Sequence, residues 1–594
     1  MSTPSSDLID FLSTRSNEFA SYSGSEMRAL CIELERNFRD RADEWSDAGN
    51  WRLEEAKTFK LYEEGSSVSH EAHVAMSTCK QVISSTLSNI LSSCRKKYEY
   101  EEGGKIPELL QNEKRVQVSD GSGKFYSVYG PMPLGIPSNE FEVHTLPNKE
   151  EAPKKLSAHK DGAVTVILAA GNQPQLAVFD TLQRTLVHKE VVLIKYHPLR
   201  PHLLAPYAII FEPLIKRGFV RQVLDEGIPE TTTILSHPKI GHVHITGSLA
   251  TDKAVRETLA KSKPHLSQQE IDDMVTSELG ACTPYILADG VYTDLEITHA
   301  ARMIVFGKKL SGGCNCLDTQ AVIIPKEWPQ KGQLRQAIYD ELKRQPNQPT
   351  YYPGSVERAK EIVNVYKGRG ESRVVVVECA KSSGQINRSC DNVTVVECGS
   401  PNDSDYENYA LRKEAFGPIL AIVELPNEIN NDDYLSSIAV PFVNNKENIF
   451  GSLSCSLLAP ASYDKKKLSR AVEILEYGTI AINTANLLGW LGACRGAVWQ
   501  AHPSAPGRES GSGYIGNMFD IPSPAKTVVH GPSLSQAPMF DGAKPPPKLI
   551  IDALYTMDCS HTTLRGILGI MYMFSISFVK SLLSPFLPEK LMRS

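Results

Sequence analysis

Between residues 6 and 112, apolar positions recur at helical spacing. MRALCIELERNFRDRADEW and STCKQVISSTLSNILSSCRKKYEY are examples. No proline interrupts residues 5–106, which fits long helices. Residues 125–160 are rich in proline and charge and read as connections and extended segments. From 162 the rhythm shortens. GAVTVILAAGN, QLAVFDTLQRTLVHK, EVVLIKYHP and HLLAPYAIIFEPLIKRG follow one another, then TTTILSH, HVHITGS and LATDKAVRETLAKS. Val and Ile runs without polar alternation predict strands buried on both faces. Their alternation with helix-like stretches predicts a doubly wound parallel sheet. Ligands in such sheets sit beyond the C-terminal strand ends, so AAGN, KYHP and TGS mark the expected site.

A second α/β region follows, with DTQAVIIP, VERAKEIVNVY, ESRVVVVEC, GPILAIVEL and GTIAIN as its signals. GRESGSGYIGN then supplies a Gly/Ser-rich stretch, and PAKTVVHGP reads as a short strand outside both domains. The expected fold class is α/β, with two doubly wound parallel-sheet domains. Residues 1–150 form a helical region leading into the cofactor domain at 160–278. A catalytic domain at 279–510, a return segment and arm strand at 511–535 and an apolar tail at 545–594 complete the expectation.

Composition narrows the classes. Hydrophobic and charged fractions of 41% and 22% are ordinary for a globular protein. A net charge of −6 over 594 residues, with no long basic run, argues against a nucleic-acid partner. The 12 cysteines are scattered rather than framed for disulfides, and the first residues lack a secretory pattern. A cytoplasmic location is the expectation. The segment GILGIMYMFSISFV is uncharged but shorter than the roughly 20 residues that span a bilayer. It reads either as a helix packed on protein or as a membrane-surface contact through 564–587.

The chemistry concentrates in SGGCNCLDTQAVIIP at 311–325. A structural zinc site wants about four Cys or His ligands in close pairs. Cys314 and Cys316 supply one pair with no second one, so no metal is expected. A disulfide between them would be strained. An inert buried cysteine or a nucleophile remains, and the glycine loop lets a substrate approach closely.

ELGACTPYIL, IVFGKKLSGGCNCL and EAFGPILAI, with VILAAGNQPQ, VVLIKYHP, ITGS and AKTVVHGP, occur in one order over roughly 160–535. Together they resemble the aldehyde dehydrogenase superfamily. The resemblance implies that Cys316 is the nucleophile and Cys314 its packed neighbour. Asn172 would donate to the oxyanion and Glu278 would be the general base of deacylation. The thiol is expected to be activated by a lowered pKa. The implied activity is NAD(P)-dependent oxidation of an aldehyde to a carboxylic acid through a thiohemiacetal and a thioester. Lys195 would hold the adenosine ribose, Gly247 and Ser248 the phosphates, and Glu414 and Phe416 the nicotinamide end. A homodimer or homotetramer is implied, joined through the arm strand.

Departures from the family pattern keep alternatives open. Pro198 stands where many NAD-preferring members carry a glutamate, so the cofactor is NAD or NADP. Asp252 replaces a glycine near the expected phosphates, Gly171 replaces a tryptophan, and Cys282 stands where a lysine often follows. An acyl-thioester (acyl-CoA-type) reductase and an inactive membrane-associated scaffold are the other readings. Glu278 argues against the first, since acyl-transferring relatives generally lack it.

Overall fold

Val164–Leu168 and Val192–Lys195 are buried along almost their whole length, as unbroken Val, Ile and Leu runs require of strands covered on both faces. A computed structural model of the protein describes residues 4–118, 121–130, 139–146, 163–380, 392–427, 433–505, 507–536, 548–562, 564–569 and 571. Among these residues the two strands lie in a six-stranded sheet. Its order is Gly511–Ser512, Val275–Glu278, Ile240–Thr246, Val164–Leu168, Val192–Lys195, Val220–Val223. All neighbours are parallel except Gly511–Ser512, which pairs antiparallel with Val275–Glu278. The chain runs outward from Val164–Leu168 in one direction and then returns to its other side. Strand order therefore reverses between Val164–Leu168 and Ile240–Thr246, and a ligand crevice is expected at that reversal.

The N-terminal region is helical, including Ser5–Ala20, Gly24–Asp40 and the 32-residue helix His70–Glu101. Ser23 and Glu26 form a reciprocal capping box that starts the second of these. The helices are not a separate body. Ile9, Leu12 and Phe19 share one core with Val164, Val166 and Val192, and Phe19 stacks on Phe219 at 4.1 Å. TTTILS is helical within Ile228–Ser236 despite its β-branched residues, with Pro229 in the first turn.

The second sheet has eleven strands among the described residues. Its order is Glu113–Val118, Gly121–Gly130, Asn139–Thr145, Pro524–His530, Thr479–Ile482, Ser454–Leu458, Thr283–Leu287, Thr319–Pro325, Ile419–Leu425, Val393–Gly399, Val374–Val377. Pro524–His530 is thus not outside both domains. It pairs parallel with Thr479–Ile482 on one side and antiparallel with Asn139–Thr145 on the other. Its one lysine is buried. The Lys526 ammonium donates to the carbonyls of Val472, Glu473 and Leu475, which close the helix Lys465–Ile474. The strands between 113 and 145 likewise leave the helical region and extend this sheet.

Near the C-terminus, helix Lys548–Asp558 packs on the N-terminal helices through Tyr555, whose hydroxyl donates to the Ala42 carbonyl at 2.9 Å. No helix among the described residues is long and apolar enough to cross a membrane. Leu564, Ile567, Leu568 and Met571 are exposed, and residues 570 and 572–587 of the expected contact segment 564–587 lie outside the described residues.

Candidate active site

The helix Asp294–Lys309 is started by a capping box between Thr293 and Glu296, and it delivers the chain to the glycine loop. Ser311, Gly312 and Gly313 all take left-handed backbone, at φ 55°, 62° and 77°. A Cβ on Gly312 would lie 2.6 Å from the Pro349 carbonyl oxygen, and one on Gly313 2.6 Å from that of Gly417. Both glycines are therefore required by shape as well as by φ. Below the loop, buried Lys308 donates to the Asp318 carboxylate at 2.5 Å and to the carbonyls of Gly417 and Ile419. Asn315 crosses the loop, donating to the Leu310 carbonyl at 2.7 Å and accepting from the Leu317 N–H at 3.0 Å.

The two cysteines point into different surroundings. Cys314 is fully buried, its sulfur 3.9 Å from the Gly312 carbonyl and from the Ser355 hydroxyl. Cys316 is partly exposed, and its sulfur lies 3.7 Å from Oε1 of Glu278. The surroundings contradict the expected low thiol pKa. Burial, and then the carboxylates of Glu278 and Glu414, push the Cys316 thiol well above its ordinary value. Deprotonation here requires a base rather than a resting thiolate.

Glu278 ends the strand Val275–Glu278 and is 6% exposed. Its Oε1 accepts from the Trp499 indole N–H at 2.8 Å, and its Oε2 has no hydrogen-bond partner among the described residues. Burial raises its carboxyl pKa to about 8, and the nearby Asp180 charge adds to the rise. The bonds from Trp499 and Cys316 oppose it. A small open pocket adjoins the carboxyl and is lined by Glu278, His244, Ser277, Trp499, Ser510 and Tyr514 among others. Sequence reasoning misses Trp499, because a lone tryptophan in AVWQ carries no motif.

Asn172 follows the strand Val164–Leu168, and its side-chain amide donates to the Cys314 carbonyl at 3.5 Å. Gln173 donates to the Ser311 hydroxyl at 2.7 Å, so this turn and the cysteine loop are joined twice. The Asn172 carbonyl accepts from the Tyr351 hydroxyl at 2.5 Å and from Arg200 at 3.2 Å. Arg200 is fully buried, bonds the Gly171 carbonyl and pairs with buried Glu55 at 3.0 Å. An N-terminal helix thereby braces the turn. Gly171 is explained by its neighbour, since a Cβ there would lie 2.5 Å from the His197 ring.

Glu414 accepts from the Ala281 N–H at 3.2 Å and its carboxylate packs on Gly280, where a Cβ would collide with it. Burial raises its pKa to about 7. Phe416 takes left-handed backbone at φ 47° and sets its ring edge-on to Tyr352 at 5.0 Å.

The remaining predicted residues lie along the C-terminal edge of the six-stranded sheet. Lys195 ends its strand and pairs with Asp225, two residues beyond the neighbouring strand. Gly247 and Ser248 are exposed where Ile240–Thr246 meets the 14-residue helix Leu249–Ser262, and the Ser248 hydroxyl caps it by accepting from the Thr251 N–H at 3.2 Å. Asp252 does not burden that end. It is 2% exposed and held by Arg256 at 2.9 Å, and Arg256 also binds Asp272. An open helix N-terminus beside the strand-order reversal favours phosphate, and the Lys195–Asp225 pair suits a ribose diol. These residues fit a dinucleotide. Among the described residues there is no cluster of three His, Cys, Asp or Glu side chains that would hold a metal.

Residues 138–518 match the aldehyde dehydrogenase family, and the chain belongs to that family. It is similar to aldehyde dehydrogenase family 3 member A2 of Rattus norvegicus, 23% identical over 321 residues covering 54% of this chain and 58% of that protein. It is also similar to the dimeric NADP-preferring aldehyde dehydrogenase of Canis lupus familiaris, 23% identical over 260 residues covering 44% and 52%. The chain thus spans a little over half the length of these relatives. Among solved structures, the lactaldehyde dehydrogenase of Escherichia coli aligns with a TM-score of 0.56 at 17% identity, covering 88% of this chain and 90% of that one. A Mycobacterium tuberculosis aldehyde dehydrogenase complexed with NAD+ aligns with a TM-score of 0.57 at 15% identity, covering 89% and 90%. The likeness to both is one of fold.

Proposed function

We propose that the protein oxidises an aldehyde to a carboxylic acid, with NAD or NADP as the acceptor. The observation that carries this reading is the 3.7 Å approach of the Cys316 sulfur to the Glu278 carboxyl, on a loop that the Asn172 amide also reaches. Glu278, when ionised, takes the thiol proton, and the Cys316 sulfur attacks the aldehyde carbon to give a thiohemiacetal. The Asn172 amide would donate to the oxygen on which charge develops. A bound nicotinamide dinucleotide would supply the hydride acceptor that turns the adduct into a thioester. Glu278 then passes the thiol's proton to solvent and, ionised again, takes a proton from the water that attacks the thioester; that proton goes to the departing Cys316 sulfur as the carboxylic acid is released.

Lys195, Gly247 and Ser248 would bind the adenosine and phosphate end, and Glu414 and Phe416 the nicotinamide end. The helix N-terminus and the strand-end pair support the first assignment. The second rests on the EAFGP resemblance and on the proximity of Glu414 to Cys316. A homodimer or homotetramer, and a cytoplasmic protein with a membrane contact at its tail, belong to the same proposal. The scaffold reading loses its main support because Asp252 is neutralised by Arg256.

The test is an aldehyde panel running from short aliphatic to long-chain and aromatic members, with NAD or NADP, in the presence and absence of coenzyme A. Reduced dinucleotide and free acid without coenzyme A are the expected products. Turnover only with coenzyme A would favour the acyl-thioester reading. Consumption of neither substrate, with no acyl adduct on Cys316 by mass spectrometry, would sink the proposal.

A further inference from the structure

The sequence leaves the choice between NAD and NADP open because Pro198 stands where an acid would select NAD. The tertiary structure returns a carboxylate to that region from a different strand. Lys195 is the last residue of Val192–Lys195, and its register partner is Val223, the last residue of Val220–Val223. Two residues further on, Asp225 Oδ2 meets the Lys195 ammonium. Its Oδ1 accepts from the Gly227 N–H at 2.6 Å, so both carboxylate oxygens are oriented. Asp225 is held ionised by these two bonds, with its pKa below the usual range. Glycine at 227 takes φ 97° and closes the turn that aims the acid back at the lysine.

We infer that Asp225 makes the protein selective for NAD over NADP, as the specificity-determining residue of the adenosine ribose site. The inference rests on the proposed dinucleotide site. In doubly wound sheets, an acid beyond a strand end accepts from the ribose 2′-hydroxyl, and a nearby arginine accommodates a 2′-phosphate. Here the acid is present and the cation is already neutralised by it. His197, beside this edge, is kept neutral near pH 7, because burial lowers its pKa to about 4. A 2′-phosphate would meet a fixed carboxylate whose lysine is already paired with it, whereas a diol finds an acceptor in Asp225 and a donor in Lys195.

The test is equilibrium binding of NAD and of NADP to the full chain, followed by tryptophan fluorescence or calorimetry, which needs no aldehyde. The wild-type protein is expected to bind NAD at least about tenfold more tightly than NADP. Asp225→Ser is expected to move the ratio at least about tenfold toward NADP, and Asp225→Glu to keep the NAD preference. Equal affinities in the wild type, or a ratio that Asp225→Ser does not move, would overturn the assignment while leaving the dinucleotide reading in place. Should Asp225→Ser fail to fold, the wild-type ratio alone decides. Binding of neither dinucleotide would overturn that reading, and the Asp225 assignment with it.

Discussion

The sulfur of Cys316 lies 3.7 Å from Glu278 Oε1, and the same oxygen accepts from the Trp499 indole at 2.8 Å. One carboxyl is therefore shared between the Cys316 thiol and a fixed donor, in a site where burial raises its pKa to about 8. In the proposed reaction, both the rate and its dependence on pH would turn on that shared group.

Glu278→Gln is expected to lower turnover by about 10²–10⁴-fold, the usual range for removing a general base. Aldehyde incubated with the dinucleotide and this variant should leave little thioester on Cys316 by intact mass, because the thiol loses its base along with the hydrolytic water. An unchanged rate would remove Glu278 from the deacylation step.

Hydrolysis of the thioester should rise with pH. Glu278 acts as a base only when ionised, so the rising limb of the pH profile is expected near pH 8. Trp499 lowers this pKa by donating to the carboxylate. Trp499→Phe should therefore displace the limb to higher pH, and a shift to lower pH would contradict the role given to the indole.

The same pKa has a cost in stability. A carboxyl whose folded pKa is raised from 4.5 to about 8 destabilises the fold as pH increases through that window. Below it the group is protonated in both states and costs nothing. Glu278→Gln should accordingly melt no lower than the parent above pH 8, even though it is nearly inactive. A lower melting temperature there would mean that the carboxylate is stabilised by contacts beyond those seen.

Cys316→Ser should abolish oxidation, while Cys314→Ser should retain most of it, because the buried Cys314 sulfur faces Ser355 and the Gly312 carbonyl rather than Glu278. With the Cys316 thiol pKa raised, alkylation by iodoacetamide should be slow at neutral pH and accelerate as pH rises. Mass spectrometry of the labelled peptide checks both statements.

Arg200→Met should destabilise the protein by about 3–5 kcal/mol, since it removes the Arg200 partner of the buried Glu55 carboxylate and leaves it only His202 at 2.8 Å. It should also lower turnover, because Arg200 holds the carbonyls of Gly171 and Asn172. Denaturant unfolding measures the first effect and steady-state rates the second.

Much of the fold is legible in the chain. The Val/Ile runs around 164–168, 192–195 and 319–325 become strands of the two sheets, because a strand covered on both faces must be apolar throughout. The cysteine loop is legible for a related reason, since successive left-handed positions in tight contact with carbonyls admit glycine. Pro524–His530 reads in sequence as a strand outside both domains, because a short strand does not name the strands it pairs with. Only packing shows that three helix-end carbonyls receive the Lys526 ammonium.

By itself, the sequence marked the short segments from which the candidate site is built, since each depends on residue type and local spacing. Tertiary structure alone decided which of two neighbouring cysteines faces the acid, and that Trp499 shares that acid from a distant part of the chain. It also decided the pKa values, because these come from burial and from charges on other strands rather than from neighbours along the chain. Asp225 and Lys195, thirty residues apart, belong to the same category. Their pairing follows from the register of two adjacent parallel strands, which nothing in either segment announces alone.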